Sequence, residues 1–474
     1  MMMQLKYKRT TIVIAGCIAI LLGLYLAKLT TPISFSWIIL AIISLVILWR
    51  HKTARLLLVI ILFFGFGWWR GGLLQVDNQK YSEYYGKKVS VIATAQEDGF
   101  YAQNSQLEFT ANNVSINGES LPGKIKIKGY GEPAVYRYDK VEAVGKIYPS
   151  IGGRQANISY ADISVIATTN SKLDDLRRNF IVGMETALPE PAASFGIGLL
   201  VGQRSLLPAD VLATLTAVGL VHIIAVSGYN LTIIIDFIRR ISARLSRFQV
   251  VFLASGLMYA FILITGFSPS IIRAAFVSFL GLTAWYFGRK FSPVLLIVLV
   301  ACVTGIANPY FVWGDIGWYL SFLAFTGILI LAPQIIKLFK KDKLPVMLAI
   351  AIETFSAQIM TTPLIMAVFG RVSLVGFLAN IIVVPLVPFA MLFSLIAGVA
   401  GMIIPAISGW IALPARVLLN FILLVADWFS KLPLAQASVK MTAFSMLACY
   451  ISLVIVIIGL NKRNQSVKMV LNEE

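Results

Sequence analysis

Apolar runs of about 17 to 25 residues recur along this chain, each long enough to cross a ~30 Å hydrocarbon core. Three of them open the sequence, at residues 11–28, 33–49 and 56–74. Residues 80–168 follow a different period. Lys88-Val89-Ser90-Val91-Ile92-Ala93-Thr94 and Gly123-Lys124-Ile125-Lys126-Ile127-Lys128 alternate apolar and polar positions, and Asn117-Gly118 and Gly129-Tyr130-Gly131 punctuate them. Such alternation with frequent turns predicts a small all-β domain, whose length suits a five-stranded OB-like barrel. Residues 171–190 predict an amphipathic surface helix with Asp174 and Asp175 in its first turn, stopped by Pro189 and Pro191. From 192 to 460 the chain is apolar with short polar gaps. Pro385, Pro388, Pro405 and Pro414 interrupt the later runs, and a helix broken at membrane depth must face protein or a water-filled cavity.

Composition sharpens this picture. The 474 residues are 58% hydrophobic and only 13% charged, which excludes a single soluble domain. The net charge of +18 sits mainly in blocks between apolar runs, at 1–10, 50–55, 239–247, 289–290 and 337–343. Such blocks mark cytoplasmic turns, so the basic charge is no argument for nucleic acid. On this alternation residues 80–168 face outside, as do the gaps at 266–270 and 308–315. The β domain itself is nearly balanced, with ten Lys and Arg against nine Asp and Glu, although Tyr101, Tyr130, Tyr136 and Tyr138 offer aromatic surface. Cys17, Cys302 and Cys449 each lie inside an apolar run, so no pair is placed to staple the β domain.

Polar groups within spans are costly and therefore the best functional leads. The densest set is His222, Ser227, Gly228, Tyr229, Asn230 and Asp236. On a continuous helix, Asp236 would lie ~40° from His222 on one side and Asn230 ~80° on the other, a polar stripe suited to lining a path or to locking helices together. Arg273, Asp315, Ser321, Gln358 and Asn380 are further intramembrane candidates; an Arg one turn into a span either pairs with carboxylates or meets a permeant anion. Two histidines, no H-E-x-x-H and no Walker A sequence leave metal, nucleotide and hydrolytic chemistry without support. No catalytic residue, metal site or cofactor is expected.

The run Gly198-Leu199-Leu200-Val201-Gly202-Gln203-Arg204-Ser205 through His222-Ile223-Ile224-Ala225-Val226-Ser227-Gly228-Tyr229-Asn230 resembles the ComEC competence-channel family. Pro269-Ser270-Ile271-Ile272-Arg273-Ala274, Asn308-Pro309 with Asp315 to Ala324, Ala357 to Leu364 and Leu378 to Leu386 resemble its later segments in order. The resemblance implies passage of single-stranded DNA across the bacterial cytoplasmic membrane during natural transformation. Many relatives have a second His after Ser-Gly, where this chain has Tyr229-Asn230, so any role of that residue does not carry over. Larger relatives carry a C-terminal metallo-β-lactamase-like domain, proposed to degrade one strand; residues 461–474 are too few for one, so a separate nuclease is expected.

The expected fold is therefore a polytopic α-helical membrane protein of roughly 9 to 11 spans with an inserted, extracytoplasmic OB-like domain. Its parts are an N-terminal membrane segment (1–76), the β domain (80–168), the amphipathic helix (171–190), a channel domain (192–460) and a cytoplasmic tail (461–474). The expected function is a non-enzymatic inner-membrane channel for single-stranded DNA, with Tyr229, Trp313, Trp318 and Tyr319 as candidate surfaces for stacking bases. Expected partners are the DNA strand, the lipid membrane, a nuclease, a DNA receptor and a cytoplasmic DNA-translocating motor. The rivals are a transporter of another anionic or amphipathic solute and a structural membrane component.

Overall fold

The structure is a computed structural model, and it describes residues 9–32, 36, 39, 43, 52–101, 106–132, 134–150, 153–168, 172–202, 207–224, 231, 245–265, 269–289, 292–339, 344–433 and 435–471. The run at 33–49 and the block at 239–244 therefore lie almost wholly outside the described residues. Seven of the described helices are long and apolar enough to cross a membrane: Thr10–Ala27, Leu57–Ser82, Ile316–Phe339, Val346–Phe369, Gly376–Ile403, Leu413–Ser430 and Ala443–Asn464. With the β domain between them, the chain is a polytopic helical membrane protein carrying a small all-β domain. It divides into two compact units, one of residues 1–171 with 294–319, the other of 172–293 with 320–474.

The first unit is built on helices α1 (Arg9–Ala27) and α2 (Lys52–Ser82). Their contacts rise in register together, Gly16 beside Phe63, Ile20 beside Gly67 and Ala27 beside Gly71, so the two helices run parallel. A Cβ on Gly67 would stand 2.2 Å from the Ile20 carbonyl oxygen, so only glycine permits this approach. The last turns of α2 carry the chain directly into the β domain.

There the strands are β1 (Lys88–Ala95), β2 (Phe100–Tyr101), β3 (Leu107–Ile116), β4 (Glu119–Leu121), β5 (Ile125–Tyr130), β6 (Lys140–Pro149) and β7 (Ala156–Ala167). The sheet closes on itself. β1 pairs antiparallel with both β3 and β6, β3 continues to β5, β5 runs parallel to β7, and β7 returns antiparallel to β6. Five strands thus form a closed barrel, as the alternation and length led one to expect of an OB-like domain, with β2 and β4 as short additions to β3. The alternate positions point inward: Val91, Phe109, Ile125, Ile127, Val141, Ile147 and Ile158 are fully buried. Asn117 and Gly118, both at positive φ (50° and 89°), make the two-residue turn from β3 to β4 that their sequence announces.

Tyr81 from α2 enters this core, fully buried, and its hydroxyl donates to the Pro122 carbonyl at 2.9 Å. The barrel is thereby seated on the helix that leads to it. Helix α9 (Pro293–Ala307) and the short α10 (Tyr310–Gly314) complete the seat. Tyr310 hydrogen-bonds Asn78 of α2, and a Cβ on Gly153 of the barrel would lie 3.7 Å from Asp315 Oδ2. The barrel and the 308–315 turn therefore share one side of the membrane.

The second unit has a large apolar core. Helix α3 (Lys172–Ala187) lays one face against α15 (Val387–Ile403) through Gly183 and Gly401, while the opposite face stays exposed. Asp174 and Arg177 fall on the buried side. Helix α4 (Ala192–Val201) is buried at every position and ends on Gly202 at φ 79°. Against it pack α3, α15 and α17 (Leu413–Ser430); the interrupted α14 (Gly376–Val383) shares the same core, and α13 (Val346–Phe369) packs on α14.

Candidate functional site

Two interrupted segments meet in the second unit. The first runs from α4 through α5 (Ala209–Ala217) to the four-residue α6 (Val221–Ile224). Its break at Gly219 has φ 74°, a left-handed conformation that glycine adopts at no steric cost. The second is α14, which gives way to a 3-10 turn at Val384–Leu386 because Pro385 has no N–H to continue the helix, and resumes as α15. A Cβ on Gly376 would lie 3.1 Å from the Val218 carbonyl oxygen and 3.2 Å from Ser373 Oγ, so the first break rests on the start of α14. Ile223, Ile224, Ala379 and Val383 belong to one core. Paired interrupted helices are where membrane transporters build their substrate sites, because unwound backbone exposes polar groups at membrane depth.

Each break carries a candidate from the sequence. His222 is exposed on α6, and its Nδ1–H donates to the Gly219 carbonyl at 3.0 Å, which fixes Nε2 as the outward nitrogen. Asn380 is buried in α14; its Nδ2 donates to the Gly376 carbonyl at 2.8 Å, while Oδ1 is enclosed without a hydrogen-bond partner among the described residues. Gln358 of α13 is half-buried and its Oε1 is likewise unpartnered among them. α13 packs on α14 through the edge-to-face pair Phe355 and Phe377, centroids 5.9 Å apart, and each amide lies three residues beyond its helix's phenylalanine. An unpaired buried carbonyl oxygen costs about 1–3 kcal/mol, and one such acceptor lies on each of these two packed helices. Asn380 thus lies on α14, Gln358 on α13 that packs against it, and His222 on α6 that shares its core.

The other candidates have different places. Arg273 is buried (3% exposed) in α8 (Pro269–Tyr286), which packs on α7 (Arg247–Thr265) through Ala274 and Met258. Ser321 is half-buried on α11 (Ile316–Thr326). Asp315 belongs to the first unit and caps α11: its Oδ1 accepts the Trp318 N–H at 2.7 Å. Ser227, Gly228, Tyr229, Asn230 and Asp236 lie outside the described residues, and the stripe they would form with His222 lies there too. Trp313 and Trp318 are buried at 9% and 6% exposure, with their ring N–H groups donated to the Leu24 carbonyl and to Thr304 Oγ1. Their rings are spent on packing, which corrects the expectation that they offer stacking surfaces. Ser394 on α15, fully buried with an unpartnered Oγ among the described residues, is a polar core group that the sequence reading passed over. Its apolar flanks give no sign of it.

On the barrel, Tyr101, Tyr130, Tyr136 and Tyr138 are all exposed. Glu108 on β3 is buried between Lys126 and Lys128 of β5, with Lys128 Nζ at 2.7 Å. Burial alone would raise its carboxyl, but the hydrogen bonds and charge of the two lysines outweigh that and hold it below the usual carboxylate range. Among the described residues no group of three or more His, Cys, Asp or Glu side chains is placed to hold a metal ion.

Residues 199–464, more than half of the chain, match a family described as Competence protein. The match includes the second interrupted segment and the first from Leu199 onward. The chain is also 26% identical over 263 residues to ComE operon protein 3 of Bacillus subtilis (strain 168). That similarity covers 55% of this chain and 32% of the relative, so the chain spans about a third of the length of the protein it matches. No solved structure matches it.

Proposed function

The chain belongs to the Competence protein family, and from that premise we propose that it conducts single-stranded DNA across the bacterial cytoplasmic membrane during natural transformation. The observation that carries the reading is the meeting of two interrupted helices at Gly219 and Gly376, with His222 and the amides of Gln358 and Asn380 on the elements that converge there. A strand moving through must be handled without sequence preference, by groups that hydrogen-bond phosphate and base edges in turn. Amides both donate and accept, and an imidazole can do the same, whereas a fixed charge would hold the strand or repel it. The barrel, seated over the membrane on α2 and α10 and bearing exposed tyrosines, supplies sequence-tolerant base contacts on the outer side.

In this reading the breaks put unwound backbone and polar side chains at membrane depth, where a passing strand supplies the donors that the enclosed oxygens of Asn380 and Gln358 lack among the described residues. Buried Arg273 acts in this reading as a fixed cation that orders its helix within the bundle, and Asp315 acts as a cap. The test is transformation of a deletion strain carrying either the wild-type gene or Asn380→Leu. Wild type should restore transformation. Asn380→Leu, present at wild-type level in the membrane, should remain at least tenfold lower. A deletion strain that transforms as well as its parent would overturn the proposal.

A further inference from the structure

The first unit brings together two cysteines that are remote in sequence. Cys17 lies on α1 and Cys302 on α9; both are buried, at 7% and 3% exposure, and their thiols are within hydrogen-bonding reach of each other. The register of the two helices supports this meeting independently. One turn beyond Cys302, a Cβ on Gly305 would lie 3.3 Å from both Leu21 Cδ2 and Leu24 Cδ1, side chains one and two turns beyond Cys17. Further along, Trp313 Nε1–H donates to the Leu24 carbonyl at 2.7 Å and Lys28 Nζ to the Trp313 carbonyl at 2.6 Å. The helices are pinned on the side of the pair nearest the barrel, and the thiols face each other in an apolar setting. Cys449 belongs to the other unit.

We propose that Cys17 and Cys302 are an oxidisable pair, joined by a small disulfide oxidant into a covalent tie between the first span and α9. The chemistry balances as thiol–disulfide exchange. The sulfur of one cysteine attacks the oxidant's disulfide, forming a mixed disulfide and releasing one oxidant thiol, which carries away the proton. The second cysteine sulfur then attacks the protein sulfur of that mixed disulfide and expels the remaining half as a second thiol. Two protein thiols are oxidised and one oxidant disulfide is reduced. The product demands Cα atoms about 4.4–6.8 Å apart, a separation that two helices in side-chain contact reach with a small local approach. In the oxidised state α9, and with it the 308–315 turn under the barrel, is tied to α1.

The experiment uses the full chain in detergent, with Cys449→Ser and a protease site inserted between Asn117 and Gly118. The oxidant is 2,2′-dipyridyl disulfide. After oxidation and cleavage, the two fragments should run as one full-length band without reductant and as two bands with it. Adding Cys17→Ser or Cys302→Ser should give two bands in either case. The same oxidation on Cys449→Ser without the protease site, followed by unfolding and mass measurement, should show loss of two hydrogen atoms with no adduct. Two unreacted thiols, a thiopyridyl adduct on each cysteine, or a cross-link between two chains would each overturn the proposal.

Discussion

Asn380 and Gln358 carry the same amide chemistry, and the fold leaves the carbonyl oxygen of each enclosed and unpaired among the described residues. Asn380→Leu removes a hydrogen bond of about 1 kcal/mol together with an oxygen whose burial costs about 1–3 kcal/mol. The two nearly cancel. The variant should therefore melt within a few degrees of wild type while losing transport, and a collapse of the melting temperature would assign Asn380 to packing instead. Gly219→Val tests the neighbouring break from the opposite direction: a β-branched residue at φ 74° costs about 1–3 kcal/mol of strain, which should appear as a lower melting temperature in a thermal unfolding scan. His222 and Asn380 were legible in the sequence because a polar residue in an apolar run is conspicuous. Trp313 and Trp318 were not, since spacing cannot distinguish an aromatic ring that offers its face from one whose N–H is spent on a backbone carbonyl or a threonine.

Elements differ in how plainly they announce themselves. The barrel could be read off as a β domain because period-two alternation and Asn117-Gly118 turn chemistry agree, whereas the pairings of β1 with β3 and of β5 with β7 that close it are non-local and show only in the fold. The breaks between α4, α5 and α6 were harder to see. Gln203-Arg204-Ser205 and Pro208 mark the first gap, but in the run that follows Gly219 looks like an ordinary small residue, and its positive φ emerges only from the packing. In the barrel, Glu108 gives a pH signature. Its carboxyl is lowered in the fold, so its contribution to stability is present above the unfolded carboxylate value of about 4.3 and fades as pH falls through the folded value. Glu108→Gln should melt lower than wild type at neutral pH, and the gap should close on acidification. Tyr81→Ala, which empties a fully buried site between α2 and the barrel, should cost about 3–5 kcal/mol, by analogy with other buried aromatics, and unseat the barrel, measured as increased protease cleavage at residues 84–87.

At the scale of the molecule, the first unit places the barrel and the 308–315 turn on one side of the membrane, and α1 and α2 lead to that side in parallel. In the topology we propose from the basic blocks, that side is the outer one. A cysteine introduced at Asn117 should then react with an impermeant maleimide in intact cells, whereas one at Ser246 should react only after permeabilisation. Labelling at 246 from outside would reverse the topology. Alternating basic blocks reveal an order of crossings, but not which crossings pack together, which is why the grouping of residues 294–319 with the N-terminal helices could not be read from the sequence.

The central claim concerns the permeant. A gap between a few helices, with their backbone groups satisfied, admits a single strand far more readily than a duplex, and on the proposed reading the polar groups near the breaks favour no particular base. Purified protein in liposomes, offered end-labelled single-stranded or duplex oligonucleotides beside empty liposomes, decides the matter. The account predicts protein-dependent entry of single strands of differing sequence and exclusion of duplex. Equal entry of duplex, or entry of a small anion while neither nucleic acid enters, would contradict it.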